Sequence, residues 1–184
     1  NASRTARNEM LGDPANQIVL RNNSTLRYYA PTNLPAVVNR QIRGNGTLSS
    51  TKALYLASDA VVDPRNISGS GLGTININAT ALTADSSAQY ALNVTPTNNV
   101  CDKLVVTVSS PLVLTGTLKL GPTSVAKISV GTSWPVISVA TNATAFTCAL
   151  KKSSGYILTT SGNATTGWTV TATAAPLNTI LIVR

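Results

Sequence analysis

Histidine, the side chain that most often serves as a general base near neutral pH, is absent from this 184-residue sequence. A Ser-His-Asp or Cys-His nucleophile is therefore impossible, and a Zn site built on Cys and His is excluded. The two cysteines, Cys101 and Cys148, sit in separate strand-like stretches and outside any CxxC. They read as one disulfide if the protein is extracellular, restricting the unfolded chain by roughly 4 kcal/mol in the entropic account. The other reading is two buried free thiols. The six acids stand mostly beside Pro, Gly or Lys. Asp59 and Asp63 are close in sequence but flank a turn, so both are expected to be structural. No phosphate loop follows from Gly69-Ser70-Gly71-Leu72-Gly73, because no Lys-Ser/Thr comes after it. Arg27-Tyr28-Tyr29 could stack on a sugar or a base, but a half-buried strand end is the expected reading. Trp134 and Trp168 are expected to fill or cap the core. No cofactor and no metal is expected.

One further pattern carries chemistry, the N-x-Ser/Thr acceptor for N-glycosylation. It occurs nine times, at Asn1, Asn22, Asn23, Asn45, Asn66, Asn78, Asn93, Asn142 and Asn163. That is about twice what the Ser and Thr content alone would give. Used acceptors must be exposed in a secreted protein. Asn78 and Asn93 fall on or beside the polar faces of their strand-like runs, which permits this.

The elements that must position these residues are strands. In the stretch Asp102 to Leu120, the side chains of Leu112, Leu114, Leu118 and Leu120 fall on one face, and those of Val113, Thr115, Thr117 and Lys119 on the other. Period 2 is the signature of a half-buried strand. Gly116 breaks the run and suits a bend or a close backbone approach. Similar alternation recurs at Ile75 to Ala81 and Tyr90 to Val94, and Gly44-Asn45-Gly46 is a turn signal. No stretch has a convincing 3.6 period. The fold class expected is all-β, parallel β-helix-like in the second half, with a β-sandwich or jelly roll as the alternative. Apolar pairs beginning at Leu54, Ile75, Leu92, Leu112 and Ile128 lie 21, 17, 20 and 16 residues apart, near the coil length of about 20–25 expected of a β-helix. Residues 1–68 are expected to form an N-terminal arm with short strands, packing on a neighbour, and residues 69–184 the β-helical or sandwich domain.

Composition agrees. The chain is 43% hydrophobic but only 4% aromatic, so its core must be built from Val, Ile, Leu and Ala. Charged residues make up 11%, against roughly 25% in typical soluble domains. Ser, Thr and Asn take their place. The net charge of +8 divides evenly about residue 65, with an excess of four on each side and no dense basic arm. Diffuse surface charge is expected, with a glycan or polyanion contact as the alternative. No apolar run approaches the ~20 residues of a membrane-spanning helix. No signal peptide is recognised, and because the sequence starts at Asn1 and stops after a strand-like run, a processed chain or part of a longer one is expected.

In order, Gly71-Leu72-Gly73-Thr74-Ile75-Asn76-Ile77, Cys101-Asp102-Lys103-Leu104-Val105-Val106, Leu114-Thr115-Gly116-Thr117-Leu118, Gly131-Thr132-Ser133-Trp134-Pro135-Val136-Ile137, Gly155-Tyr156-Ile157-Leu158 and Asn178 to Val183 resemble steps of autotransporter-type β-helical passenger domains. The resemblance covers about residues 69–184 and leaves 1–68 outside. It implies an elongated, surface-exposed scaffold for adhesion or display, and brings no catalytic residue.

The function expected is a non-enzymatic extracellular or surface structural protein, a subunit of a filament, layer or fibre that associates through sheet edges or stacked coils. The alternative is a viral capsid or coat subunit with a jelly-roll core, in which the excess charge faces nucleic acid.

Overall fold

The computed structural model describes residues 3–6, 15–28, 34–65, 71–123 and 127–176, which form fifteen β-strands and, among the described residues, no helix. Alternation is the cause. Strand β4 (Gln41–Ser50) reads partly buried then buried five times in succession, and β9 (Gln89–Val94) does so three times. Such strands must place every second side chain in a common interior.

They do so by winding. On one face, the third wall, residues pair in parallel from turn to turn. Leu26 of β2 (Ile18–Tyr28) lies beside Leu48, Leu48 beside Ile77 of β7 (Thr74–Asn78), Ile77 beside Val106 of β10 (Lys103–Thr107), and Val106 beside Val139 of β12 (Ser133–Val139). The offsets along that row are 22, 29, 29 and 33 residues. A second face carries Ile42, Val62 of β6 (Val61–Asp63), Tyr90 and Leu118 of β11 (Leu112–Pro122) in register. The first wall carries Ala36 of β3 (Ala36–Val38), Leu54 of β5 (Leu54–Leu56) and Leu82 of β8 (Leu82–Ala84). All these side chains are buried. Each fully buried Leu, Ile or Val contributes about 1.5–3 kcal/mol, and together they form the single apolar column inside three walls. This is a parallel β-helix.

Two strands each serve two walls. β4 pairs with β6 through residues 41–43 and with β7 through 46–49. It turns the corner at Gly44, whose φ is 107°, and a Cβ there would lie 2.1 Å from the Leu20 carbonyl oxygen. β11 pairs with β13 (Phe146–Lys152) and then with β9, bending at Gly116 with φ 116°. Only glycine takes these conformations without strain. The expected bend at Gly116 is there. Gly44-Asn45-Gly46 is a corner inside a continuous strand.

The winding ends in a reversal. β15 (Gly167–Ala174) adds antiparallel to β12, and β14 (Tyr156–Asn163) pairs antiparallel with β15. At the other side β1 (Ser3–Ala6) pairs in parallel with β2.

Three expectations change. The coils are not confined to residues 69–184: β4 bonds to β7 across position 68, and stacked strands begin at Ile18. The repeat is not a steady 20–25 residues: it runs 22, 29, 29 and 33 on the third wall, and Leu54, Ile75 and Leu92 belong to three different walls rather than to one stacked row. A jelly roll or sandwich is antiparallel, whereas the strands of these walls pair in parallel, so that alternative does not describe this chain.

Candidate functional site at the polar corner

The corner between the second and third walls gathers most of the polar side chains with defined partners. In the early turns it is tight. Asn23, at φ 57°, accepts a hydrogen bond from Asn45 Nδ2 at 2.8 Å, and Asn45 Oδ1 accepts one from Thr74 N at 3.2 Å. In later turns the same corner is spanned by longer connections, and these enclose two carboxylates that are fully buried, Asp63 and Asp102.

Asp63 ends β6. It accepts from Arg65 Nη2 at 2.6 Å and Nε at 2.8 Å, and from Gln41 Nε2 at 3.2 Å. Arg43 Nε stands 3.7 Å away as a second cation. The carboxylate in turn raises the pKa of Arg65. Asp102 precedes β10 and has no cation in an ion pair among the described residues. Its Oδ1 accepts from Gly73 N at 2.7 Å, and its Oδ2 from Asn93 N and Asn93 Nδ2, both at 2.8 Å. Burial pushes its pKa above the ordinary 3.8, against the pull of these three donors. Nearby Asp63 adds repulsion in the same direction.

Chemically the corner holds rather than reacts. A general acid or base needs a lone pair or proton open to a substrate. Here both carboxylates are enclosed and engaged with protein donors. Asp102 joins three successive stretches, residues 73, 93 and 102, into one hydrogen-bonded clamp. Trp134 closes the corner from inside, its Nε1–H donating to the Thr95 and Thr97 carbonyls at 3.0 Å.

The other singled-out residues are dispersed. Cys101 and Cys148 are not joined: both thiols are free. Cys101 is buried at an isolated bridge with Val94, while Cys148 stacks on Leu114 in β13. Sulfur position in a β-helix is set by wall and turn, and these two occupy different walls. Burial pushes the Cys101 thiol up to about 11. Tyr28 is 4% exposed and its hydroxyl has no partner, so it offers no stacking surface. Burial pushes it up to about 12. Trp134 is fully buried, and Trp168 packs against Phe146 with ring centroids 6.1 Å apart. Asp59 lies exposed in the turn before β6.

Of the glycosylation acceptors, Asn1 and Asn66 lie outside the described residues, and Asn22 is described in its backbone alone. Asn23, Asn78, Asn142 and Asn163 are exposed. Asn163 Oδ1 caps its own turn by accepting from Thr165 N and Thr166 N. The Asn45 and Asn93 amides each donate to another side chain, Asn23 and Asp102.

Sequence reasoning missed Asp102 as a buried group, noting no more than acids beside Pro, Gly or Lys. The available signal was an acid directly between Cys101 and the apolar run of β10.

No helix among the described residues is long and apolar enough to cross a membrane. Comparison with protein-family models, curated proteins and solved structures finds no match to this chain.

Proposed function

We propose that the chain is a non-enzymatic scaffold at the cell surface or outside the cell, a subunit of a filament, layer or adhesive fibre. The observation that carries this reading is the third wall. Across it, Thr25, Thr47, Asn76, Val105, Ser138, Thr169 and Ser161 stand side by side on seven consecutive strands. A rigid row of five hydroxyls, one amide and Val105, with Arg27 and Lys103 exposed on the same face, suits repetition and contact over a broad area rather than a cleft for one substrate. β13 and β14 end the order of the main sheet, and an uncovered edge is a template for pairing with another chain. The sequence resemblance to β-helical passenger domains supports the same role.

The test is native material rather than refolded protein. Intact mass before and after deglycosylation should fall if the acceptors are used. Negative-stain microscopy should show ordered strings or sheets. A bare monomer of 19.0 kDa at all concentrations would remove the proposal. The coat-subunit reading keeps only its charge as support, because its jelly roll is not formed.

A further inference from the structure

The charge is distributed by turn of the helix, not evenly. From Lys103 to Arg184 the sequence has six basic residues and no acid. Of these, Lys103, Lys119, Lys127, Lys151 and Lys152 are described, and all five are exposed. Of the described carboxylates in the earlier turns, Asp63 is engaged by Arg65 and Arg43 and Asp102 is enclosed, while Asp59 and Asp85 lie in the turns before β6 and β9, Asp85 accepting from Ser87 N.

Two of these lysines share one wall. On the second wall, Thr117 sits beside Gln89 on one side and Lys151 on the other, and Lys119 lies two residues further along the same strand. Neighbouring strands are about 4.8 Å apart and alternate residues about 6.7 Å. Lys119 and Lys151 are thus diagonal neighbours on one outward surface, and Lys152, in register with Leu118, is exposed beside Lys151 at the end of β13. Thr117 adjoins both, Gln89 lies on the far side of Thr117 from Lys151, and no carboxylate belongs to these paired rows.

We propose that this strip, centred on Lys119, Lys151 and Lys152, is a docking surface for an acidic polysaccharide. Positive charge at this spacing suits a linear chain with a carboxylate or sulfate on successive sugars, and Thr117 and Gln89 suit sugar hydroxyls. Nucleic acid is the less fitting polyanion. Its single strands are held by aromatic side chains that stack on bases. The described aromatics of these turns, Trp134, Tyr156, Phe146 and Trp168, pack into or against the core. This inference goes beyond the scaffold role and does not depend on it.

The experiment is binding of the full chain to alginate, with dextran as the neutral control and single-stranded DNA as the competing polyanion. Binding to alginate in about 50 mM salt should weaken steeply toward about 300 mM, and dextran should not bind. Lys119→Gln with Lys151→Gln should lower affinity on the order of tenfold with an unchanged melting temperature. Arg21→Gln with Lys52→Gln, which removes equal charge elsewhere, should lower it less than twofold. No binding to alginate in low salt overturns the proposal. An equal loss from both double variants overturns it too, since net charge alone would then be responsible. Tighter binding to DNA than to alginate at equal salt would replace the ligand class.

Discussion

At the scale of single residues, the molecule depends on atoms that have one acceptable partner set. Asp102 is such a case. Both its oxygens accept from N–H groups, so Asp102→Asn keeps the shape but turns an NH2 toward a donor. The expected cost is about 1–3 kcal/mol, read as a lower melting temperature. The pH dependence has a definite sign. Because the folded pKa lies above 3.8, folding favours the protonated form, and this contribution to stability grows as pH falls through the folded pKa toward 3.8. Wild type should therefore gain stability relative to Asp102→Asn between about pH 7 and about pH 4. Thiol chemistry gives a second check. Denatured protein should titrate with two free thiols without reductant, and in the native state Cys148 should react with a maleimide well before the buried Cys101.

At the scale of elements, glycines decide where a strand changes walls. Gly44→Ala places a Cβ against the Leu20 carbonyl, and Gly116→Ala one at 2.6 Å from the Ala88 carbonyl oxygen, both at positive φ. Each should cost several kcal/mol by the measure of forced backbone strain plus a shift of the neighbouring coil, seen as a lower denaturation midpoint. Gly131→Ala is the control, for although its φ is 87°, nothing lies within 4 Å of its Cβ position. It should cost clearly less. Strand alternation was legible beforehand because Leu112, Leu114, Leu118 and Leu120 share one side, and they are buried as that pattern requires. The coil repeat was not legible. On the third wall its length varies from 22 to 33 residues, and β4 and β11 each contribute to two walls without a break in sequence. Nor was the corner legible, because Asp63, Asn93 and Asp102 meet only after winding has brought distant segments together.

At the scale of the whole molecule, a column of parallel coils has two ends and three walls, and each wall differs in chemistry. The third is rich in hydroxyls with Arg27 and Lys103 among them, the second becomes basic in its last turns, and the first shows Val113 at 54% exposure. Self-association through strand edges should respond to substitutions there. Ile157→Lys on β14, where Ile157 is 51% exposed, should shift any native oligomer toward monomer in sedimentation velocity. An unchanged distribution would place the contact elsewhere. Without histidine in the sequence, a Ser-His-Asp or Cys-His nucleophile is excluded, and that exclusion was legible beforehand. The basic strip needed the register, since Lys119 and Lys151 are far apart in the chain.

The antiparallel hairpin of β14 and β15 has a consequence for how the chain acquires its structure. Its strands are joined by the short turn between Asn163 and Gly167, whereas the parallel neighbours in the third wall must close loops of 22 residues or more. Closing short loops takes less entropy and less time, so the hairpin is the segment best placed to order first. β12 then finds a finished edge to dock on, and winding proceeds from the C-terminal turn toward the N-terminal one. Pulse-labelled hydrogen exchange should find the amides of β14 and β15 protected before those of β2 and β4, so that later strands act as the template for earlier ones.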